Sequence, residues 1–243
     1  MNEFWVTDIT VPEGVGFSLW GRGHLLWLTV TAVLCAMMVI VYRKQSGPDR
    51  AIFRRVTAAL LILDELFKYG IVACSGVFWM GFLPLHLCSI NIFLILADAI
   101  KPNERLRELL CAVCLPGAFF ALLFPGWAYL PMNCAMNYHR FTAHILLLLY
   151  PALLLADDFH PRFSRLLSTL PWCLPVLAGI YVFNKIFDTN FFFFNWAGEG
   201  NPLSLLEIWL GRPGYLVGIP ILAGLCWILL YGVAGALDRR RRP

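Results

Sequence analysis

Apolar residues run along this chain in long uninterrupted stretches, each bounded by short polar or proline-containing punctuation. A helix needs about 20 mostly apolar residues to cross a hydrocarbon core about 30 Å thick. Seven stretches of roughly that length predict seven helices, over residues 25–42, 56–77, 82–100, 109–130, 141–155, 170–187 and 216–237. The fifth is short and can be extended at either end, and Pro116 and Pro125 predict a kinked fourth helix. Because the stretches are continuously apolar rather than alternating, helices are expected and strands are not. The fold class is therefore all-α, a polytopic membrane helix bundle built as a single transmembrane domain over residues 1–243.

Composition agrees with the pattern. Hydrophobic residues make up 60% of the 243 positions and charged ones 14%, and the mean hydropathy is +0.71. Soluble domains are about 45–50% apolar and about 25% charged, so a soluble, disordered or collagen-like chain is excluded. The net charge of +4 matters less than where the charge lies. Fourteen basic residues, among them Arg43, Arg50, Lys101, Arg162 and the run Arg239 to Arg242, fall on one set of loops and the tail, against Arg22, Arg140 and Arg212 on the other. That bias predicts an outer N-terminus and a cytoplasmic C-terminus. The acidic start, with Glu3, Asp8 and Glu13, is unlike the basic start of a secretory signal, and no cleavage is expected. The terminal arginines read as a topology anchor at a membrane face, and nucleic acid is not an expected partner.

Ionisable groups at membrane depth are costly, at about 2.5–3.5 kcal/mol each on insertion scales, and call for a partner or a purpose. Asp64 and Lys68 stand four apart in the second helix, where they can pair with each other or fix helix packing. With the alternating topology applied, His24, His86, Cys88, Asn91 and His144 share one outer slab with Lys68, Asn184, Lys185 and Asp188, while Asp98 lies near the inner end. Such a layer, drawn from several helices, predicts a polar pocket. A thiol beside a base supports acyl transfer, and Cys88 with His144 is the most economical pair. His86 is a competing base on another helical face, and Asn91, one turn below Cys88, is a candidate oxyanion donor or orienter of the imidazole. The other cysteines read as apolar filler, including Cys111 and Cys114 of the CxxC, and no metal site or cofactor is expected.

The stretches LPLHLCSIN (83–91), LPGAFFALLFPGW (115–127), YHRFTAHILLLLYP (138–151) and NKIFDTNFFFFNWAGEGNPLSLLEIWLGRPGYL (184–216) follow one another in an order that resembles the YwaF-like integral membrane proteins of bacteria. That family looks related to animal multi-pass acyltransferases that remodel ether phospholipids, and more distantly to the androgen-induced-gene lipid hydrolases. The resemblance implies a Cys and His catalytic pair at Cys88 and His144, and a place in the bacterial cytoplasmic membrane. This chain departs from the pattern at Ser89, where the family often has Asp, so no carboxylate orienter of the His is implied. Asp188, Phe191, Arg212 and Gly214 depart in the outer loop.

The expected function is thus a multi-pass enzyme that transfers or hydrolyses acyl chains on a membrane phospholipid or other acyl lipid. Cys88 and His144 are the expected catalytic residues, with His86, Asn91, Asn184 and Lys185 as substrate contacts. The rival expectations are a transporter or channel, with Asp64, Glu65, Lys68 and Asp98 lining a charged path, and a non-catalytic scaffold. Oligomeric state is left open by the sequence.

Overall fold

The structure, a computed structural model, describes residues 3–157, 159–198 and 202–241, with side chains described as far as residue 236; Arg242 and the side chains of the three arginines before it lie outside the described residues. The chain is all helical, with no strand among the described residues. Helix α1 spans Arg22–Arg43, α2 Gly47–Ser75, α3 Leu87–Ile100, α4 Glu104–Leu109, α5 Leu115–Leu123, α6 Ala135–Ala156, α7 Phe163–Phe187, α8 Pro202–Gly214 and α9 Gly218–Arg241. Six stretches are long and apolar enough to cross a membrane: Arg22–Arg43, Met80–Ile100, Glu104–Leu123, Ala135–Ala156, Phe163–Phe187 and Pro202–Ala236. The protein is an integral membrane protein. The 29-residue α2 is about 43 Å long, but Asp64, Glu65 and Lys68 interrupt its apolar face, and those side chains are turned into the bundle.

Local sequence explains the boundaries. Ser46 caps α2 by accepting from the Asp49 amide, Pro48 sits in its first turn, and Gly76 closes it with a left-handed φ of 68°. The helix begins nine residues before the apolar stretch because Arg50 and Arg54 extend it to reach Asp157 at the end of α6. Helix α6 likewise begins six residues early, where the Cys134 side chain accepts from the Asn137 amide. The fourth predicted helix ends at Leu123 rather than 130, since Pro125 and Gly126 stop it. The connection after α7, read from sequence as a loop, contains α8, which breaks at Gly211 and Arg212. Its Ile208 and Trp209 face outwards, the latter 80% exposed.

Two prolines dock helices by what they remove. Proline has no N–H to offer the carbonyl four residues back. Pro116 leaves the Ala112 carbonyl free within a π-helical turn over Leu110–Cys114, and that oxygen accepts from Trp227 Nε1 of α9 at 2.9 Å. Pro151 leaves the Leu147 carbonyl free in α6, and the Cys114 thiol donates to it at 3.4 Å. The expected kink of the fourth helix is therefore a π turn, and half of the CxxC is a helix-packing donor.

Helix α6 is the centre, packed by α1, α2, α3 and α5. At the basic end three acidic residues bind the helices together. Asp157 takes Arg50 at 3.0 Å and also Arg54, which in turn reaches Tyr42. Buried Asp98 accepts from Arg107 Nε at 3.0 Å, Tyr150 at 3.0 Å and the Asn103 amide at 2.9 Å. Fully buried Glu108 accepts from Arg165 at 2.8 Å, Tyr231 at 2.7 Å and the Arg162 amide at 3.1 Å, so one carboxylate ties α4, α7 and α9. Asp98 thus lies near the basic end, as its position in the chain predicts.

Two outcomes follow from this end of the bundle. Glu108→Ala leaves Tyr231 and the Arg162 amide without their acceptor and Arg165 with only the exposed Glu104 and the His160 carbonyl, and lowers stability by roughly 3 kcal/mol; thermal unfolding in detergent checks it, with Glu108→Gln losing less. Burial pushes the Asp157 carboxyl up, but hydrogen bonding from Arg50 and the Arg54 charge more than reverse this, so its pKa lies below the ordinary aspartate value. A depressed folded pKa stabilises above the unfolded value of about 4 and loses that contribution as pH falls through the folded value. Wild type therefore loses roughly 1 kcal/mol more than Asp157→Asn between pH 6 and pH 3, after allowance for solvent screening at a partly exposed site.

Candidate functional site

Cys88 is the second residue of α3, whose N-cap His86 makes no side-chain capping bond. Pro84 and the short 3₁₀ turn Met80–Phe82 delay the helix until Leu87, so the thiol sits in a first turn whose backbone N–H groups have no intrahelical acceptor. The positive end of the helix dipole therefore lies beside the sulfur. His144 is on the facing α6. The Cys88 sulfur and His144 Nε2 are 3.1 Å apart.

The other ring nitrogen fixes the roles. His144 Nδ1 lies 2.6 Å from the Arg140 carbonyl, one turn earlier on the same helix. A carbonyl can only accept, so Nδ1 carries the proton and Nε2 is the acceptor of the thiol. The imidazole also stacks on Trp127, with centroids 4.9 Å apart and planes 27° apart. A backbone carbonyl and an indole thus do the orienting that a carboxylate after Cys88 would otherwise provide. The Trp127 signal stood in the sequence only as the end of the FPGW turn, and the Arg140 carbonyl left no mark in side-chain types at all.

Ion pairs surround this couple. Lys68 pairs with Glu65, and both are buried. This corrects the expectation of an Asp64 and Lys68 pair: Asp64 instead accepts from Thr142 at 2.7 Å and its other oxygen lies 2.7 Å from His139 Nδ1, outside hydrogen-bond alignment. Asp64 is held on α6 by Thr142, which leaves Glu65, one turn before Lys68, as the lysine's partner. Arg140 donates to both oxygens of Asp8 at 2.7 and 2.6 Å and lies over the Trp127 ring. Tyr129 also donates to Asp8, at 2.7 Å, and burial holds its phenol above the ordinary tyrosine pKa. The N-terminal segment that carries Asp8 is part of the core, with Val6 packed among Ile71, Phe82, Trp127 and Phe141. Arg140 is an electrostatic neighbour of Cys88, His144, His86 and Lys68.

The remaining expected site residues fall out unequally. His86 is exposed and meets the edge of Phe191 at 4.7 Å. Fully buried Asn184 holds Phe191 in place, donating to its carbonyl at 2.8 Å and accepting its amide at 2.9 Å. Asn184 also accepts from Thr189, so its amide is spent on the loop after α7, and its link to the site runs through Phe191 and His86. Asn91 donates to the Leu87 carbonyl at 2.9 Å, within α3. Lys185 is exposed over Tyr181 and is not gathered into the slab. His24 pins α1 to α5, accepting from the Trp20 amide and donating to the Leu122 carbonyl at 2.8 Å. The four charged groups of the supposed path do not line up: Lys68 pairs with Glu65, Asp64 turns to Thr142 and His139, and Asp98 lies at the far end with Arg107 and Tyr150. No group of three or more His, Cys, Asp or Glu side chains is placed to hold a metal among the described residues.

A family model described as the TMEM164 family matches residues 19–231. The chain belongs to the TMEM164 family. The match runs from just before α1 into α9, so the Cys88 and His144 pair and the loop after α7 all lie within the TMEM164 family region, whereas Asp8 lies outside it. No curated protein and no solved structure matches the chain.

The geometry makes one direct demand on Cys88. Site-resolved alkylation by iodoacetamide, followed by mass spectrometry, should find Cys88 faster than the buried Cys111 and Cys114, and His144→Ala should slow Cys88 by about tenfold or more. Exposed Cys74 serves as the unaffected control. Equal Cys88 rates with and without His144 would break the pair.

Proposed function

We propose that this TMEM164 family protein is a membrane enzyme that transfers or hydrolyses acyl chains on membrane lipids, with Cys88 as nucleophile and His144 as base. The observation that carries the reading is the 3.1 Å approach of the thiol to the one imidazole nitrogen left free to accept its proton. In this mechanism Nε2 takes the proton from Cys88, and the sulfur attacks the carbonyl carbon of an acyl ester. The carbon–oxygen bond to the lipid breaks, and the departing oxygen collects the proton from Nε2. A thioester remains on Cys88. A lipid hydroxyl, or water, then gives its proton to Nε2 and attacks the thioester; the carbon–sulfur bond breaks and the thiol is restored.

The oxyanion of each tetrahedral intermediate finds donors in the free N–H groups at the start of α3. Asn91, bonded within its helix, supports the shape of that turn. In this reading His86, just ahead of α3, and the Phe191 ring it meets, held by Asn184, would contact the acyl chain, and exposed Lys185 a headgroup at the outer rim. The basic end of the bundle faces the cytoplasm in this reading, in a bacterial cytoplasmic membrane, so the chemistry faces the outer leaflet.

The test is acyl exchange by purified protein with lipid. Cys88→Ala and His144→Ala should each lower the rate by about a thousandfold or more, and wild type trapped in mid-turnover should carry a hydroxylamine-labile acyl mass on the Cys88 peptide. Full activity in both variants would remove the mechanism.

A further inference from the structure

The carboxylate on Arg140 comes from far along the chain and sits one turn outward of the reacting pair. Asp8 offers two oxygens to one guanidinium nitrogen, the Arg140 Nε is buried with no hydrogen-bond partner, and Lys68 is a second cation within electrostatic range. Arginine prefers to present two parallel N–H groups to a carboxylate or phosphate. Here the fork is used at one tip, so the pair is a contact that a better-shaped anion would improve. Arg140 and His144 are separated by one turn of α6, a rise of about 6 Å. A glycerophospholipid separates its phosphorus from its ester carbonyl by a few covalent bonds, a similar span.

We infer that Arg140, with Lys68 behind it, is the residue that selects acyl lipids by an anionic phosphate, and that Asp8 of the N-terminal segment holds the phosphate's place until lipid displaces it. This rests on the acyl-lipid reading of the Cys88 and His144 pair. The side chain of Arg140 is free to change partners without disturbing catalysis, because it holds His144 through its backbone carbonyl. Asp8 then sets how readily lipid enters: it is a resident competitor, and Tyr129 strengthens its hold.

Binding is measured on Cys88→Ala protein, which cannot turn over, as retention of radiolabelled phosphatidylglycerol against diacylglycerol of the same chains after gel filtration in detergent. Arg140→Gln should lower phosphatidylglycerol retention about tenfold and leave diacylglycerol unchanged, with Arg140→Lys between the two. Asp8→Asn should raise phosphatidylglycerol retention several-fold while lowering the thermal midpoint, a pairing that a purely structural latch would not give. Should Asp8→Asn not fold, Tyr129→Phe weakens the same hold and should move retention in the same direction. Glycerol phosphate that raises the wild-type midpoint by itself assigns the site to soluble phosphate esters; if only lipid does so, the site belongs to a headgroup. Equal responses of both lipids to Arg140→Gln, or a fall in both with Asp8→Asn, overturns the proposal. Phosphate-dependent binding by a protein with no acyl exchange would keep this site and discard the enzyme.

Discussion

In hydrocarbon an unpartnered polar group has no water to fall back on and costs several kcal/mol, so the bundle is organised by the partners its buried polar groups find. Helix α6 is where most of them meet. Down its length Arg140 takes Asp8, Thr142 and His139 take Asp64, His144 takes Cys88, Leu147 takes Cys114 and Tyr150 takes Asp98. Apolar packing alone would leave these helices free to slide and rotate, since lipid tails are as apolar as leucine. Pairings at successive depths fix both the height and the rotation of each neighbour against α6, which is why a thiol and an imidazole from different helices can be brought within one hydrogen bond.

The same requirement gives the candidate site its chemical character. Both cations near Cys88 are balanced, Lys68 by Glu65 and Arg140 by Asp8, so the thiol and imidazole meet in a polar but largely compensated layer. Two rigid supports, the Trp127 face and the Arg140 carbonyl, hold the ring so that a single nitrogen is offered to the sulfur. Holding a reactive pair in one geometry removes much of the entropic cost of bringing the two groups together. The TMEM164 family match covers the pair and begins at residue 19, after Asp8.

Much of this was written in the order of residues. Uninterrupted apolar stretches predicted the helices, and depth along alternating spans placed Cys88, His86 and His144 in one slab. The proline in α5 signalled its departure from a regular helix. What escaped was whatever depended on backbone atoms or on distant chain segments. The orienting group for His144 is a carbonyl, which every residue possesses, and the partner of Arg140 lies more than a hundred residues away in a segment with no apolar periodicity. The choice of Glu65 over Asp64 for Lys68 turned on the capture of Asp64 by Thr142 of α6, which spacing within α2 alone could not reveal. Helix α8 was hidden because a short amphipathic element between glycines and prolines resembles a loop.

The docking of α9 and of the α4–α5 pair gives proline an unusual place in this bundle. Pro116 and Pro151 weaken their own helices by one internal bond each, yet the oxygens they liberate become sockets into which Trp227 and Cys114 fit. Restoring an ordinary residue at either position would mend the rod and close the socket. In this protein a more regular helix is therefore a more poorly anchored one, and small irregularities of the main chain serve as the fasteners that side chains of an apolar surface cannot supply.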